Sequence, residues 1–171
     1  ATDNQGSITF ADGTSGNAAY RGAVEYNHTA DRLTFRTAGT GNRLIIDSSG
    51  RLLLGTTTEG YSTSDDLTIA TSGSTGMTIR SGTSNYGSIH FSDATSGTGE
   101  YAGVIEYSHA DDSLALYTSS TKHLTIDSSG RLLLGTNTEG HTSAETFTLA
   151  SSGHAGITIR SGTSSYGSIF F

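Results

Sequence analysis

The chain has 171 residues and a formal net charge of −7; 33% of its residues are apolar, 15% are charged and none is cysteine. This composition excludes disulfides and thiolate metal sites. Its acidity argues against nucleic acid and anionic membrane surfaces as partners, since both bind basic patches. Membrane insertion is not expected, because no segment approaches the roughly 18 consecutive apolar residues of a spanning helix, whereas the short patterned apolar runs predict a folded chain.

An internal repeat of about 80 residues organises the chain from its first predicted strand onward. The pattern "GSITF" at 6–10 returns as "GSIHF" at 87–91 and begins again as "GSIFF" at 167–171. Further matched segments are 20–28 with 101–109, 46–56 with 126–136, and 77–89 with 157–169. This pattern predicts a first β repeat over residues 1–85, a second over 86–165 and the start of a third over 166–171, and the chain is expected to belong to something longer.

Each repeat is predicted to be a series of short strands, because apolar and polar residues alternate along it. In the second copy the predicted strands are, in chain order, "GSIHF", "YAGVIEY", "LALY", "LTI", "RLLLG", "FTLA" and "ITIR". The connectors between them are rich in Gly, Asp, Asn, Ser and Thr, which are turn-forming residues. The predicted fold class is therefore all-β, built from repeated short-strand modules.

The eleven residues "IDSSGRLLLGT" occur in both copies and predict a β-hairpin in each. Asp127 can accept hydrogen bonds from the turn amides, Gly130 can take the left-handed conformation, and Arg131 begins the return strand. The return strand, 132–134, is all leucine, so both of its faces are apolar, which a strand half exposed to water would avoid. Because the repeat has few other large apolar residues, the second cover is expected to come from another copy of the chain.

The order of these elements resembles the shaft repeats of bacteriophage tail fibres and tailspikes, of the type that precedes a C-terminal self-cleaving intramolecular chaperone domain. The matching positions in the second copy are Gly87, Ile89, Phe91, Gly103, Ile105, Tyr107, His109, Asp112, Ile126, Asp127, Ser128, Gly130, Gly135 and Thr136. Those in the first copy are Gly6, Ile8, Phe10, Gly22, Val24, Tyr26, His28, Asp31, Ile46, Asp47, Ser48, Gly50, Gly55 and Thr56. The chain departs from the family in two ways: no Pro follows "GTTTEG" or "GTNTEG", and this segment contains no chaperone domain.

The resemblance implies an elongated, intertwined homotrimer that forms a structural shaft segment of a viral tail fibre. Such a shaft would be extracellular, on the virion, and would position a receptor-binding tip for host attachment without catalysis. Its implied partners are two further copies of the chain, other virion tail proteins and a host surface glycan. Two alternatives stay open: a trimeric adhesin stalk, and a glycan-binding module that uses exposed tyrosines, for which the candidates are Tyr20, Tyr61, Tyr86 and Tyr101.

Adjacent carboxylates could suggest glycan cleavage, which needs two positioned acids. The chain offers Asp65-Asp66 and Asp111-Asp112. Neighbouring residues on a strand face opposite ways, and the first copy has Ala30 at the position of Asp111. Solvated turn acids are therefore the favoured interpretation, and a depolymerase the disfavoured one.

Histidines offer two further hypotheses. His28 and His109 occupy equivalent positions, and three copies of His109 could meet on a trimer axis around an ion. A catalytic group could be formed by Ser128, His123 and Asp127, but the serine lies in a predicted hairpin turn. The favoured interpretation of both sets is structural, so no catalytic, cofactor-binding or metal-binding residue is predicted and no cofactor is expected.

Charged residues that recur in both copies are expected to be structural, since isolated chemistry rarely comes in duplicate. Most are interpreted as solvated. Arg51 and Arg131, next to the leucine strands, are instead expected to pair with neighbouring chains and to fix register along the shaft.

Overall fold

The computed structural model describes residues 4–39 and 41–169, which form β-strands, turns and two short 3-10 helices. The all-β prediction is confirmed. The chain divides into two compact units, Ala1–Met77 (unit 1) and Thr78–Phe171 (unit 2). Unit 2 thus includes residues 78–85, which lie before the "GSIHF" segment and were predicted to end the first repeat. The start of a third repeat, predicted over 166–171, lies partly outside the described residues.

Unit 1 is a single six-stranded sheet with its strands in sequence order. Its elements are β1 (Gln5–Phe10), a 3-10 helix (Gly16–Tyr20), β2 (Gly22–Asn27), β3 (Arg32–Thr37), β4 (Asn42–Ile46), β5 (Leu52–Leu54) and β6 (Leu67–Ile69). Strands β1 to β5 pair antiparallel, and β6 joins β5 in parallel.

Unit 2 repeats this arrangement in a second six-stranded sheet. Its elements are β7 (Tyr86–Phe91), a 3-10 helix (Gly97–Tyr101), β8 (Gly103–Ser108), β9 (Ser113–Thr118), β10 (Thr121–Ile126), β11 (Leu132–Leu134) and β12 (Phe147–Leu149). Only the β11–β12 pair is parallel.

The first six predicted strands of the second copy are present, but the seventh is not. Residues 157–160, "ITIR", do not form a strand, and neither do residues 77–80, "MTIR". Alternation shows that a segment can be a strand, but a strand also needs a hydrogen-bonded neighbour, and the described part of the chain supplies none here. A smaller correction concerns Tyr101, which ends a 3-10 helix and does not begin β8.

A crossover loop covers one face of each sheet. In unit 1 residues 55–66 connect the parallel strands β5 and β6. The amide of Gly60 in this loop donates to Thr68 Oγ1 at 2.9 Å, and Thr68 is the register partner of Leu53. The loop therefore lies over the side of the sheet to which Leu53 and Thr68 point, and the same contact recurs in unit 2. We call this side of each sheet its covered face.

The fully buried residues all lie on the covered faces, where side chains alternate with those of the other side. In unit 1 they are Ala23, Thr34, Ile45 and Leu53; in unit 2 they are Val104, Ser108, Ala115, Thr125 and Leu133. These residues are mostly small, so each unit alone has only a thin core.

Candidate functional site

The opposite side of the unit 1 sheet is apolar in every strand. Because the strands are in register, its side chains form two rows that run across the sheet. One row is Ile8, Val24, Phe35, Leu44, Leu54 and Ile69; the other is Gly6, Tyr26, Leu33, Ile46, Leu52 and Leu67. We call this surface the apolar face of unit 1.

Unit 2 has the same two rows at the equivalent positions. They are Ile89, Ile105, Leu116, Leu124, Leu134 and Leu149, and Gly87, Tyr107, Leu114, Ile126, Leu132 and Phe147. Both rows therefore keep their apolar character across all six strands of each sheet, although individual side chains differ between the units.

Many side chains of the apolar faces are exposed to solvent in the single chain. Ile8 is 65% exposed and Leu54 43%, whereas Leu53, between the two rows on the other side of β5, is 2% exposed. In unit 2, Ile105 is 40% exposed and Phe147 46%. The middle leucine of each leucine strand is thus covered by its own chain, whereas the outer leucines are exposed in β5 and half-buried in β11. Their own chain therefore supplies only part of the burial predicted for them. Contiguous exposed apolar surface of this kind marks interaction sites in soluble proteins.

The hairpin before each leucine strand forms as predicted. Asp127 Oδ1 accepts hydrogen bonds from the amides of Ser129 and Arg131, both at 3.0 Å, and its Oδ2 accepts one from Arg131 Nε at 2.6 Å. Gly130 has a φ of 76°, the left-handed value that the turn requires. The hairpin of unit 1 has the same contacts around Asp47 and Arg51.

The two arginines of these hairpins find their partners within their own chain. Arg51 contacts Asp47 at 2.7 Å, Asp65 at 2.8 Å and Glu59 at 3.7 Å. Arg131 contacts the equivalent carboxylates of unit 2 at 2.6 to 3.6 Å. The expectation that these arginines pair with neighbouring chains is therefore replaced by an intrachain role: each ties the crossover loop to the hairpin over the covered face.

These contacts lower the pKa of the hairpin aspartates. The pKa of Asp127 is lowered mainly by the hydrogen bond from the Arg131 backbone amide. Burial acts in the opposite direction, and the Arg131 guanidinium and the Ser129 amide lower the pKa further. Burial alone would raise the pKa of Asp47, but the Arg51 amide and guanidinium and the Ser49 amide lower it below its ordinary value.

We expect acid to weaken both hairpins. A folded-state pKa below the unfolded value of about 3.9 gives a stabilising contribution that is complete above about pH 4 and is lost as the pH falls through the folded-state pKa. The double variant Asp47→Asn, Asp127→Asn should therefore unfold at a lower temperature than wild type at pH 7, and this difference should shrink towards pH 2. Thermal unfolding followed by circular dichroism checks this. The variant Asp93→Asn is the control, and a difference that stays constant with pH would contradict the assignment.

A tyrosine and a histidine lie together at one end of each apolar face. The rings of Tyr26 and His28 meet edge to face at 5.0 Å, as do those of Tyr107 and His109. Tyr26 donates a hydrogen bond to Asp31, and this bond raises the pKa of Tyr26. Each histidine ring therefore contacts a tyrosine ring of its own chain.

The predicted carboxylate pairs are divided between different partners. Asp65 binds Arg51. Asp111 accepts a hydrogen bond from Ser108 Oγ at 2.9 Å, and Asp112, at a φ of 48°, accepts one from the Tyr107 hydroxyl at 3.3 Å. These acids of loops and turns therefore bind side chains of their own unit.

The acid of the candidate group Ser128, His123 and Asp127 has other partners. Asp127 is bonded to Arg131 and to its own turn, so it is not available to orient His123. Within ranges 4–39 and 41–169, no three His, Asp or Glu side chains lie close enough together to hold a metal ion. The four candidate tyrosines are exposed, at 56% for Tyr20, 77% for Tyr61, 59% for Tyr86 and 41% for Tyr101.

Comparisons with protein-family models, with curated proteins and with solved structures found no match to this chain. Among the described residues, neither of the helices has the length and apolar character needed to cross a bilayer. The repeat and the two apolar faces are therefore the features of this chain that bear on its function. The extent of these faces could not be predicted from the alternation within each strand, because strand order and register decide which residues line up.

Proposed function

We propose that the chain is a shaft segment of a phage tail fibre, in which three copies assemble with their apolar faces turned towards one another. The observation that carries this proposal is the apolar face itself, which spans six strands in each unit and leaves side chains such as Ile8, Leu54 and Phe147 exposed in the single chain. Burial of such a surface stabilises association by roughly 25 cal/mol per Å² of apolar area removed from water.

A second and a third copy of the same chain are the occupants that fit these faces best. The apolar rows recur at equivalent positions in both units, about 80 residues apart. A partner that covers both faces must present apolar surface with the same period, and an identical chain in parallel register does so automatically. Parallel association of copies also explains why both units have the same apolar rows although the individual side chains in them differ.

The edges of the sheets support the same arrangement. In unit 1 the outer strands β1 and β6 each pair on one side only, as do β7 and β12 in unit 2. Unpaired strand edges lead to uncontrolled association unless they are short, covered or paired. An intertwined assembly would also give the extended segments 77–80 and 157–160 the strand neighbours that they lack in the single chain.

A shaft needs stiffness and length more than chemistry, and this chain meets that need by repetition. Stacking of similar modules lets length grow without a new fold, since each module contacts its neighbours in the same way. The three copies and the tail-fibre assignment follow from the resemblance of the repeats. The end of such a shaft would carry the receptor-binding tip, so the segment itself would lie on the virion, outside the host cell.

We expect native mass spectrometry to find a complex of three chains, each of 17.7 kDa. The complex should resist dissociation by sodium dodecyl sulfate at room temperature, because its interface is apolar and repeated in both units. Negative-stain electron microscopy of the same sample should show elongated particles. A folded monomer at micromolar concentration would contradict the proposal.

A further inference from the structure

Unit 2 contains a cavity of about 280 Å³ on its covered face. Thr125 and Leu133 are its buried floor. Its rim carries the exposed polar side chains of Asp111, Lys122 and Asn137, so the cavity opens to solvent on that side. The volume is close to the lower end of the range for small-molecule sites, roughly 300 to 1,000 Å³. A ligand of a few heavy atoms can therefore enter it from the rim.

Substitutions between the two repeats account for part of this space. In unit 1 the cross-strand neighbours Thr34 and Ile45 fill the middle of the covered face, and both are at most 2% exposed. In unit 2 the equivalent neighbours are Ala115 and Thr125. Each is smaller than its counterpart, so the close packing of this part of unit 1 is not repeated in unit 2.

The rest of the space corresponds to an arginine side chain of unit 1. Ser113, which lines the cavity, takes the position of Arg32. Arg32 lies two residues before the buried Thr34 on β3, and it therefore points to the covered face. Its Nε atom is buried, so the side chain packs against that face. Unit 1 thus holds a guanidinium-bearing side chain at the position where unit 2 has a serine and a cavity.

The charges around the cavity favour a cationic ligand. Its lining includes the carboxylates of Asp111, Asp127 and Glu139 and the cations Lys122 and Arg131. Both cations have partners: Arg131 contacts carboxylates at 2.6 to 3.6 Å, and Lys122 Nζ lies over the ring of Tyr117, 5.6 Å from its centroid. The lining therefore carries more negative than positive charge, and its positive groups are already engaged.

Asp111 is the carboxylate that distinguishes unit 2. Unit 1 has Ala30 at the same position. In unit 2 Asp111 Oδ2 accepts a hydrogen bond from the neutral hydroxyl of Ser108 at 2.9 Å, and the side chain is exposed at the rim of the cavity. An incoming cation can therefore contact this carboxylate without first displacing another cation.

The kind of cation follows from the shape and chemistry of the lining. A metal ion is disfavoured, because no three His, Asp or Glu side chains of the described residues are close enough to hold one. A guanidinium group is planar, is more weakly hydrated than an ammonium group and pairs with a carboxylate through two parallel hydrogen bonds. These properties suit a cavity with an acid and an amide at its rim and Leu133 in its floor.

We propose that this cavity binds a guanidinium group, which donates hydrogen bonds to the Asp111 carboxylate and takes the place of the arginine side chain that unit 2 lacks. The group belongs either to a free small guanidino compound or to an arginine side chain of another polypeptide, and these share the same chemistry. Binding does not depend on assembly through the apolar faces, because the cavity lies on the opposite side of the sheet.

The test is a titration of the full chain with methylguanidinium chloride, followed by amide chemical shifts. We expect saturable shifts at Ser113, Thr125 and Asn137. Methylurea has a similar shape but no charge, and it should produce no saturable shift at these residues. Sodium chloride at the same concentrations is the control for ionic strength.

Three variants test the residues involved. Asp111→Asn should weaken binding about fivefold, the upper end of what an exposed ion pair contributes. The matched control is Asp112→Asn, because this neighbouring acid accepts a hydrogen bond from the Tyr107 hydroxyl and does not line the cavity. It should leave the affinity unchanged. Ser113→Arg places the side chain of unit 1 in the cavity and should abolish binding, while a native amide spectrum shows that this variant is folded.

A further titration with N-acetyl-arginine amide distinguishes the two sources of the group. An affinity that holds indicates an arginine side chain of a polypeptide, and one that falls indicates a free small compound. The proposal would be overturned by the absence of saturable shifts with methylguanidinium, by equal shifts with methylurea, by equal losses in Asp111→Asn and Asp112→Asn, or by Ser113→Arg binding as wild type. Sedimentation of each sample separates this result from failure of the shaft proposal, because a trimer that does not bind methylguanidinium contradicts only the cavity.

Discussion

Replacing Ile89 with Glu is expected to prevent assembly, whereas replacing its neighbour His90 with Glu is expected to leave assembly intact. The two residues are adjacent on β7 and both are exposed in the single chain, but they point to opposite sides of the sheet. Ile89 belongs to a row of the apolar face, while His90 is on the other side. In the proposed assembly only the glutamate at position 89 would be removed from water.

The expected size of this effect follows from the cost of burying charge. An unpaired carboxylate in a low-dielectric interior is destabilised by several kcal/mol, and a trimer would bury three of them. Each 1.4 kcal/mol changes an association constant tenfold. Sedimentation velocity should therefore show monomer for Ile89→Glu under conditions where His90→Glu remains assembled. Equal behaviour of the two variants would contradict the assignment of the apolar face.

Gly135→Ala is expected to be far more destabilising than Gly130→Ala, although both glycines have nearly the same left-handed backbone. Their φ angles are 73° and 76°. A Cβ on Gly135 would lie 2.2 Å from the carbonyl oxygen of Ala150, whereas a Cβ on Gly130 meets nothing within 4 Å. The left-handed conformation alone costs an alanine roughly 1 to 2 kcal/mol. The collision at Gly135 adds to that cost, because the obstacle is backbone next to β12 and cannot rotate away.

Thermal unfolding of the two variants measures this difference directly. We expect Gly130→Ala to unfold at a temperature a few degrees below wild type, and Gly135→Ala either to unfold much earlier or to lose the β11–β12 pairing. Gly55→Ala in unit 1 should behave like Gly135→Ala, since its Cβ would lie 2.5 Å from the Ala70 carbonyl oxygen. Similar melting temperatures for Gly130→Ala and Gly135→Ala would show that β11 and β12 do not approach as closely as described.

The sequence was sufficient to predict features whose causes are local. The hairpin around Asp127 and Gly130 could be predicted because the carboxylate, the turn amides and the glycine lie within four residues of one another. Six strands of the second copy could be predicted because alternation is a property of each segment alone. The Gly, Asp, Asn, Ser and Thr of the connectors correctly marked the turns between them.

Features that depend on how segments meet could not be predicted in this way. The segment "ITIR" at 157–160 has the alternation of a strand, but the described chain provides no neighbour to pair with it. The partner of Arg131 was misjudged because the crossover loop brings Glu139 and Glu145 back over the hairpin, and sequence separation does not reveal that return. The neighbour of Thr125 could not be predicted either, since only the strand register shows that it is Ala115.

The most direct test of the central claim, that the apolar faces are buried against other copies, is an isotope-filtered methyl NOE experiment on a mixed assembly. Chains with ¹³C-labelled Ile and Leu methyl groups are refolded with an equal amount of unlabelled chain, so that filtered cross-peaks can arise only between copies. We predict such cross-peaks for Leu54 and Leu134 on the apolar faces and none for Leu53 and Leu133 on the covered faces. Cross-peaks from the Leu54 and Leu134 methyl groups to water, with no contact to unlabelled chains, would contradict the account.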